Sequence, residues 1–127
     1  MNEDFVCFEI ANKLKENEFY CQYPFAMYNK YGQFCPLYSS EKYYFGIDDF
    51  DKHACIAPTI SQVLTWLRKE KSLHITIDVD INDNFNFYFT ICKRGEESWE
   101  VLKYGESYET YEEAALAGIE YVVKKLI

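Results

Sequence analysis

The 127-residue chain has few residues that interrupt a fold and no long apolar run. Its three prolines and five glycines are scattered, so the sequence has neither a proline-rich linker nor a glycine-rich loop. No apolar stretch approaches the roughly 20 residues that span a bilayer. The first residues are acidic, with Glu3 and Asp4 where a signal peptide would be basic. We therefore expect a cytoplasmic protein without an export signal.

Positive charge is also scarce. Lys and Arg number 13 against 21 Asp and Glu, which gives a formal net charge of −8. A surface that binds phosphates needs clustered Lys and Arg, so direct binding of nucleic acid is not expected. An anionic membrane would repel such a chain. The charge favours a basic protein as the partner, and no feature of the sequence indicates the oligomeric state.

The cysteines do not form a disulfide or metal pattern. Their number is odd, and no two have C-x-x-C spacing, which is typical of reduced thiols in a cytosol. We expect most of them to be buried. They are Cys7, Cys21, Cys35, Cys55 and Cys92.

Recognised catalytic and cofactor motifs are absent. The sequence contains no nucleophile elbow, zinc-protease helix, P-loop or dinucleotide fingerprint. Asp48, Asp49 and Asp51 suggest a calcium loop, but His53 falls within the ligand series and the required glycine is missing. We interpret these aspartates as part of a solvated loop. No cofactor and no metal are predicted, and the chain is not expected to be an enzyme.

The clearest pattern in the chain covers residues 57–92. Thr59 and Gln62 have the spacing of a capping box that opens a helix. Apolar residues then recur with the helical period and form one stripe. The stripe consists of Ile60, Val63, Leu64 and Leu67.

Two strands follow the helix, because the apolar residues now alternate with polar ones. Residues 73–81 and 85–92 both have this two-residue period, and Asn82, Asp83 and Asn84 between them suit a tight turn. The alternation also selects a register, since a shift by one residue would place apolar side chains opposite polar ones. In that register the opposed pairs are Ile81 with Phe85, Asp80 with Asn86, Asp78 with Tyr88, and His74 with Cys92.

The rest of the chain supplies further elements of an α+β fold. We predict a helix over residues 4–17, a hairpin over residues 25–35 and a short strand at residues 43–45. A third strand of the central meander is expected over residues 98–104, with Trp99 and Val101 facing the core. A final helix begins after a capping box at Thr110 and Glu113.

Together these elements predict one domain over residues 1–127. Residues 1–56 contain a helix, an aromatic hairpin and an acidic loop, and residues 57–127 have the order α-β-β-β-α. Such an order favours an antiparallel sheet with helices mainly on one face.

Two candidate sites lie on the polar face of the central hairpin. Asp78, Asp80, Asn86 and Tyr88 cluster near its turn and suggest a docking face for a basic protein. His74 opposite Cys92 offers a thiol nucleophile with a base, or half of a metal site.

Three functions remain open on these grounds. A non-enzymatic interaction protein that uses the docking face is favoured. The alternatives are a DNA-mimicking inhibitor of a nucleic-acid-binding protein and a thiol enzyme that uses Cys92 and His74.

Two segments carry a resemblance to a known group of proteins. Residues 57–68, APTISQVLTWLR, and residues 111–122, YEEAALAGIEYV, together with the helix at residues 5–14, resemble a family of short hypothetical proteins. These occur in Bacteroides-type gut bacteria and in their phages or mobile elements. The family has no assigned activity, so the resemblance implies an accessory factor of a mobile element and transfers no functional residue.

Overall fold

The computed structural model describes residues 4–22, 24–36 and 55–127. The predicted α+β class is confirmed, with its strands divided between two antiparallel sheets. By its internal contacts the chain divides into two compact units, residues 4–59 and residues 60–127; their union in one domain stays a prediction. The elements in chain order are α1 (Phe8–Glu16), β1 (Ala26–Tyr28), β2 (Phe34–Pro36), β3 (Cys55–Ile56), α2 (Ile60–Glu70), β4 (Leu73–Asp80), β5 (Asn86–Arg94), β6 (Trp99–Tyr108), α3 (Tyr111–Tyr121) and a π-helical end (Val122–Leu126).

In the first unit, helix α1 begins later than residue 4, so the predicted start was wrong. The residues before it are extended instead, because Phe5 forms an antiparallel bridge with Thr59 and the Val6 amide donates to the Pro58 carbonyl at 3.0 Å. Cys7 keeps an extended backbone, with φ −74° and ψ 166°. Backbone pairing of this segment therefore outweighs its helical pattern.

The small sheet of this unit has the order β2-β1-β3 and confirms the predicted aromatic hairpin. The Asn29 side-chain oxygen accepts from the amides of Tyr31 and Gln33 at 2.9 and 3.0 Å, and Gly32 takes a φ of +80°. An Asn side chain that bonds locally and a left-handed glycine are what a tight turn requires. The predicted strand at residues 43–45 and the acidic loop lie outside the described residues.

In the second unit, the sheet has the order β4-β5-β6, and the predicted hairpin register is confirmed. His74 lies opposite Cys92, Asp78 opposite Tyr88 and Asp80 opposite Asn86. The two-residue period excludes a shift by one residue, which would turn the apolar side chains to solvent.

The turn of this hairpin is longer than predicted. The ladder ends at Asp80 and Asn86, so the expected pairing of Ile81 with Phe85 was wrong. The Asp83 amide donates to the Asp80 carbonyl at 3.2 Å, and the Asn86 amide donates to the Asp83 carbonyl at 3.0 Å. These bonds close the turn and leave the Ile81 and Phe85 side chains 70% and 68% exposed.

Helices α2 and α3 both pack on one face of the β4-β5-β6 sheet. The Thr110 hydroxyl accepts from the Glu113 amide at 3.1 Å, which confirms half of the predicted capping box. A Cβ on Gly118 of α3 would lie 3.0 Å from a methyl group of Ile75, so this helix lies close against the sheet. The helix-covered face contributes Leu73, Ile75, Phe89 and Ile91 to the core.

Strand β6 contradicts the prediction that Trp99 and Val101 face the core, since they are 52% and 43% exposed. The pairing with β5 shifts by one residue, because Lys103 lies opposite Ile91 while Val101 lies opposite Cys92. A bulge of this kind inserts an extra residue and changes which side chains point to which face. Two such irregularities lie in β6, and a simple alternation does not anticipate them.

Candidate functional site

The candidate site lies on the face of the β4-β5-β6 sheet opposite to helices α2 and α3, called the open face below. Its side chains are half-buried or exposed, except for Thr90, which is buried. The strand register assigns its side chains, since residues directly opposite each other share a face. They are His74, Thr76, Asp78 and Asp80 from β4, Asn86, Tyr88, Thr90, Cys92 and Arg94 from β5, and Trp99, Val101, Tyr104 and Ser107 from β6.

All four side chains of the predicted docking face belong to the open face. Asp78 is exposed, whereas Asp80, Asn86 and Tyr88 are half-buried. Tyr88 sits on the middle strand, flanked by Asp78 on one side and Ser107 on the other. The geometry therefore places two carboxylates and a phenol ring in one patch.

Strand β6 adds apolar side chains that sequence reasoning missed. Trp99 and Val101 were assigned to the core, and Tyr104, which is 67% exposed, was not assigned to any site. The Trp99 indole meets the His74 ring edge to face, with ring centroids 5.6 Å apart. The sequence contains one signal of an irregular β6, namely Gly105, because a glycine within a strand often marks a bulge.

A depression of ≈ 390 Å³ opens at the turn end of the hairpin, called the hairpin-end depression below. Its lining combines apolar and polar groups from β4, the turn, β5 and β6. The lining residues are Val79, Asp80, Ile81, Asn82, Tyr88, Gly105 and Ser107.

Hydrogen bonds hold the rim of this depression. One Asp80 carboxylate oxygen accepts from the Asn82 amide at 3.0 Å. The Ser107 hydroxyl donates to the Asp83 carboxylate and so ties β6 to the turn. The other Asp80 oxygen, Oδ2, makes no hydrogen bond to any residue in the described part of the chain. A carboxylate oxygen at the rim thus keeps its capacity to accept from a ligand.

The structure brings His74 and Cys92 together as the register predicted. Within residues 60–127, no hydrogen bond joins the ring to the thiol, and no carboxylate orients the ring. A thiol nucleophile needs both a base within hydrogen-bond reach and a group that orients it. The catalytic role of this pair stays a prediction.

A second cavity, of ≈ 180 Å³, lies within residues 4–59 and is lined by Ala11, Lys15, Phe19, Met27, Cys55 and Ile56. Burial raises the pKa of the Cys55 thiol, and the positive charge of Lys15 opposes that shift without cancelling it. A thiol with a raised pKa is protonated near neutral pH and is a poor nucleophile.

Of the five cysteines, Cys55 is buried. Cys7 is exposed, and the other three are half-buried. The expectation that most thiols are buried was therefore wrong.

The described residues offer neither a metal site nor a membrane-spanning helix. Among residues 4–22, 24–36 and 55–127, no three His, Cys, Asp or Glu side chains converge as a metal site requires. None of the described helices has both the length and the apolar character that crossing a bilayer demands.

Comparisons with protein families, with curated proteins and with solved structures found no match to this chain. The resemblance to short proteins of gut bacteria and their mobile elements accordingly stays a prediction.

Proposed function

We propose that this protein is a non-enzymatic interaction protein that binds a basic partner protein through its open face. One observation carries the proposal: Asp78 and Asp80 share a sheet face with Tyr88 and with exposed apolar side chains of β6. A few residues carry most of the binding energy of a protein interface, and Trp and Tyr are enriched among them. Carboxylates beside them raise the association rate of a basic partner and disfavour acidic ones.

The charge of the whole chain supports the same class of partner. A formal net charge of −8 attracts cationic proteins over a distance of about one Debye length, which is roughly 8 Å at physiological salt. The exposed Trp99 and Tyr104 add apolar area that a partner would remove from water. We further place the protein in the cytoplasm, as an accessory factor of a mobile element, which is the setting that the sequence resemblance implies.

The proposal is tested by affinity capture from a lysate of the native host, read by mass spectrometry. The test variant is Asp78→Lys/Asp80→Lys. Its matched control is Glu96→Lys/Glu97→Lys, which makes the same change in charge at exposed positions between β5 and β6, at the opposite end of the sheet. Circular dichroism confirms that both variants fold.

We expect the wild type and the control variant to retain a basic protein that the open-face variant loses. Higher salt should weaken this capture, because screened charges attract less. Equal retention by all three proteins would place the interface elsewhere and refute the proposal. Equal loss from both variants would mean that net charge alone governs the capture, which also refutes it.

Competition with duplex DNA separates an ordinary partner from the target of a DNA mimic. A mimic occupies the phosphate-binding surface of its target, so duplex DNA should displace it. Retention of the partner in the presence of DNA supports the open face as an ordinary docking surface.

A further inference from the structure

We infer that the hairpin-end depression receives an arginine side chain of the partner. This inference rests on the proposed function, because it assigns the chemistry of the partner residue that meets Asp80 and Tyr88. Both residues line the depression, and both were singled out for the docking face.

The depression offers apolar walls and one carboxylate. Val79 and Ile81 are exposed aliphatic side chains at its edge, and Tyr88 provides an aromatic ring. Gly105 of β6 is also part of the lining. The depression, of ≈ 390 Å³, is open to solvent, so a side chain of a partner can enter it from outside.

This combination matches an arginine better than other side chains. The methylene groups of arginine pack on apolar walls while its head stays polar. Its planar guanidinium stacks on aromatic rings and donates to carboxylates, whereas the lysine ammonium is compact and more strongly hydrated. Asp80 presents an unused carboxylate oxygen at the rim.

The charges around the depression exclude acidic ligands. Asp78, Asp80 and Asp83 lie on the same hairpin end, and within the described part of the chain no lysine or arginine lines the depression. A carboxylate or phosphate ligand would meet repulsion with no compensating cation. A fully apolar side chain would remove Asp80 from water without replacing its hydrogen bonds, which is costly.

The turn holds the carboxylate in place for this role. Asp80 accepts from the Asn82 amide, and the Asp83 carboxylate accepts from the Ser107 hydroxyl, so the rim is tied to both neighbouring strands. A site held by its own hydrogen bonds loses less entropy when a ligand binds.

The test uses a short probe, the peptide acetyl-Gly-Arg-Gly-amide, added to ¹⁵N-labelled full-length protein. Its matched control replaces arginine with citrulline, which has nearly the same shape and no charge. We expect saturable shifts of the amides of Asp80, Tyr88 and Ser107 with the arginine peptide. Equal shifts with citrulline, or shifts that do not saturate, would overturn the inference.

Two variants localise the binding. Asp80→Asn removes the charge from the depression but keeps an oxygen that accepts from the Asn82 amide. Asp78→Asn removes the same charge from a neighbouring position that does not line the depression. We expect Asp80→Asn to lower the affinity for the arginine peptide about tenfold, because a charge-assisted hydrogen bond is lost. Asp78→Asn should lower this affinity about twofold or less.

Equal weakening by the two variants would show general attraction of charge and would overturn the depression as the site. That failure leaves the proposed function intact, provided that capture of the partner still depends on the open face. If capture itself does not depend on the open face, the proposed function fails instead.

Discussion

The substitution Gly105→Ala should destabilise residues 60–127 for a purely steric reason. A Cβ at this position would lie 2.7 Å from Cγ of Phe89 and in hard contact with Cδ2 and Cε2 of the same ring. Unbonded carbon atoms prefer separations of about 3.5–4.0 Å. The backbone of Gly105 is not left-handed, so alanine meets no strain there beyond this contact.

The Phe89 ring has little room to move away. It is 4% exposed, it stacks on Tyr108 at 6.4 Å, and a Cβ on Gly118 of α3 would lie within 3.3 Å of it. Overpacking of such a site costs about 1–3 kcal/mol. Replacing glycine in a strand returns about 0.5–1 kcal/mol of backbone entropy. We therefore expect a net loss of about 1–2 kcal/mol in the free energy of unfolding.

Urea denaturation followed by tryptophan fluorescence measures this loss directly. The chain has two tryptophans, Trp66 and Trp99, and both lie in residues 60–127. With a slope of about 2 kcal/mol per molar urea, the midpoint should fall by about 0.5–1 M.

A double-mutant cycle with Phe89→Leu isolates the contact. We expect Gly105→Ala to cost less than half as much in the Phe89→Leu background, because the colliding ring atoms are gone. Gly118→Ala serves as a comparison, since its contacts begin at 3.0 Å and helix propensity returns about 1 kcal/mol. An unchanged cost of Gly105→Ala in both backgrounds would refute the steric reasoning.

Three further predictions concern single groups. Tyr28→Phe should lower the free energy of unfolding by about 1–2 kcal/mol, because the buried Tyr28 hydroxyl donates to the Val6 carbonyl at 2.6 Å. Urea titration followed by circular dichroism measures this loss. The control Tyr31→Phe, at an exposed position, should show no measurable loss. Thr110→Ala should lower the free energy of unfolding by about 1 kcal/mol, because the helix cap is lost. Thr110→Ser should retain most of the stability, and urea denaturation followed by tryptophan fluorescence measures both variants. Burial raises the pKa of the Cys55 thiol above its ordinary 9.0, so its contribution to stability is present below about pH 9 and is lost as the pH rises through the raised value. Cys55→Ala should flatten this alkaline decline in the urea midpoint, and an unchanged decline would contradict the assignment.

Much of the fold followed from periodicity alone. The alternation in residues 73–92 predicted every pair from His74 with Cys92 to Asp80 with Asn86, because one face had to be buried. The cap at Thr110 was equally readable, since its hydrogen bond is local. The start of α1 could not be predicted from local sequence, because Val6 pairs with Pro58, about fifty residues away along the chain.

One half of the candidate site could be predicted from the sequence and the other half could not. Its acidic half, with Asp78, Asp80 and Tyr88, was predicted from the hairpin register. Its apolar half was not, because a bulge reverses the faces of β6 and exposes Trp99 and Val101. The sequence carries no strong local signal for a bulge, since the irregularity results from packing between strands.

By itself, the amino-acid sequence determined the negative charge, the α+β class and the register of the central hairpin, since these depend on composition and on short-range periodicity. Only the tertiary structure decided which side chains of β6 reach solvent and that the turn of the hairpin encloses a depression. Both depend on contacts between separate segments, namely the Phe89 ring beside Gly105 and the Ser107 hydroxyl on Asp83. Such contacts follow from the packing of the whole unit, which no short stretch of sequence specifies.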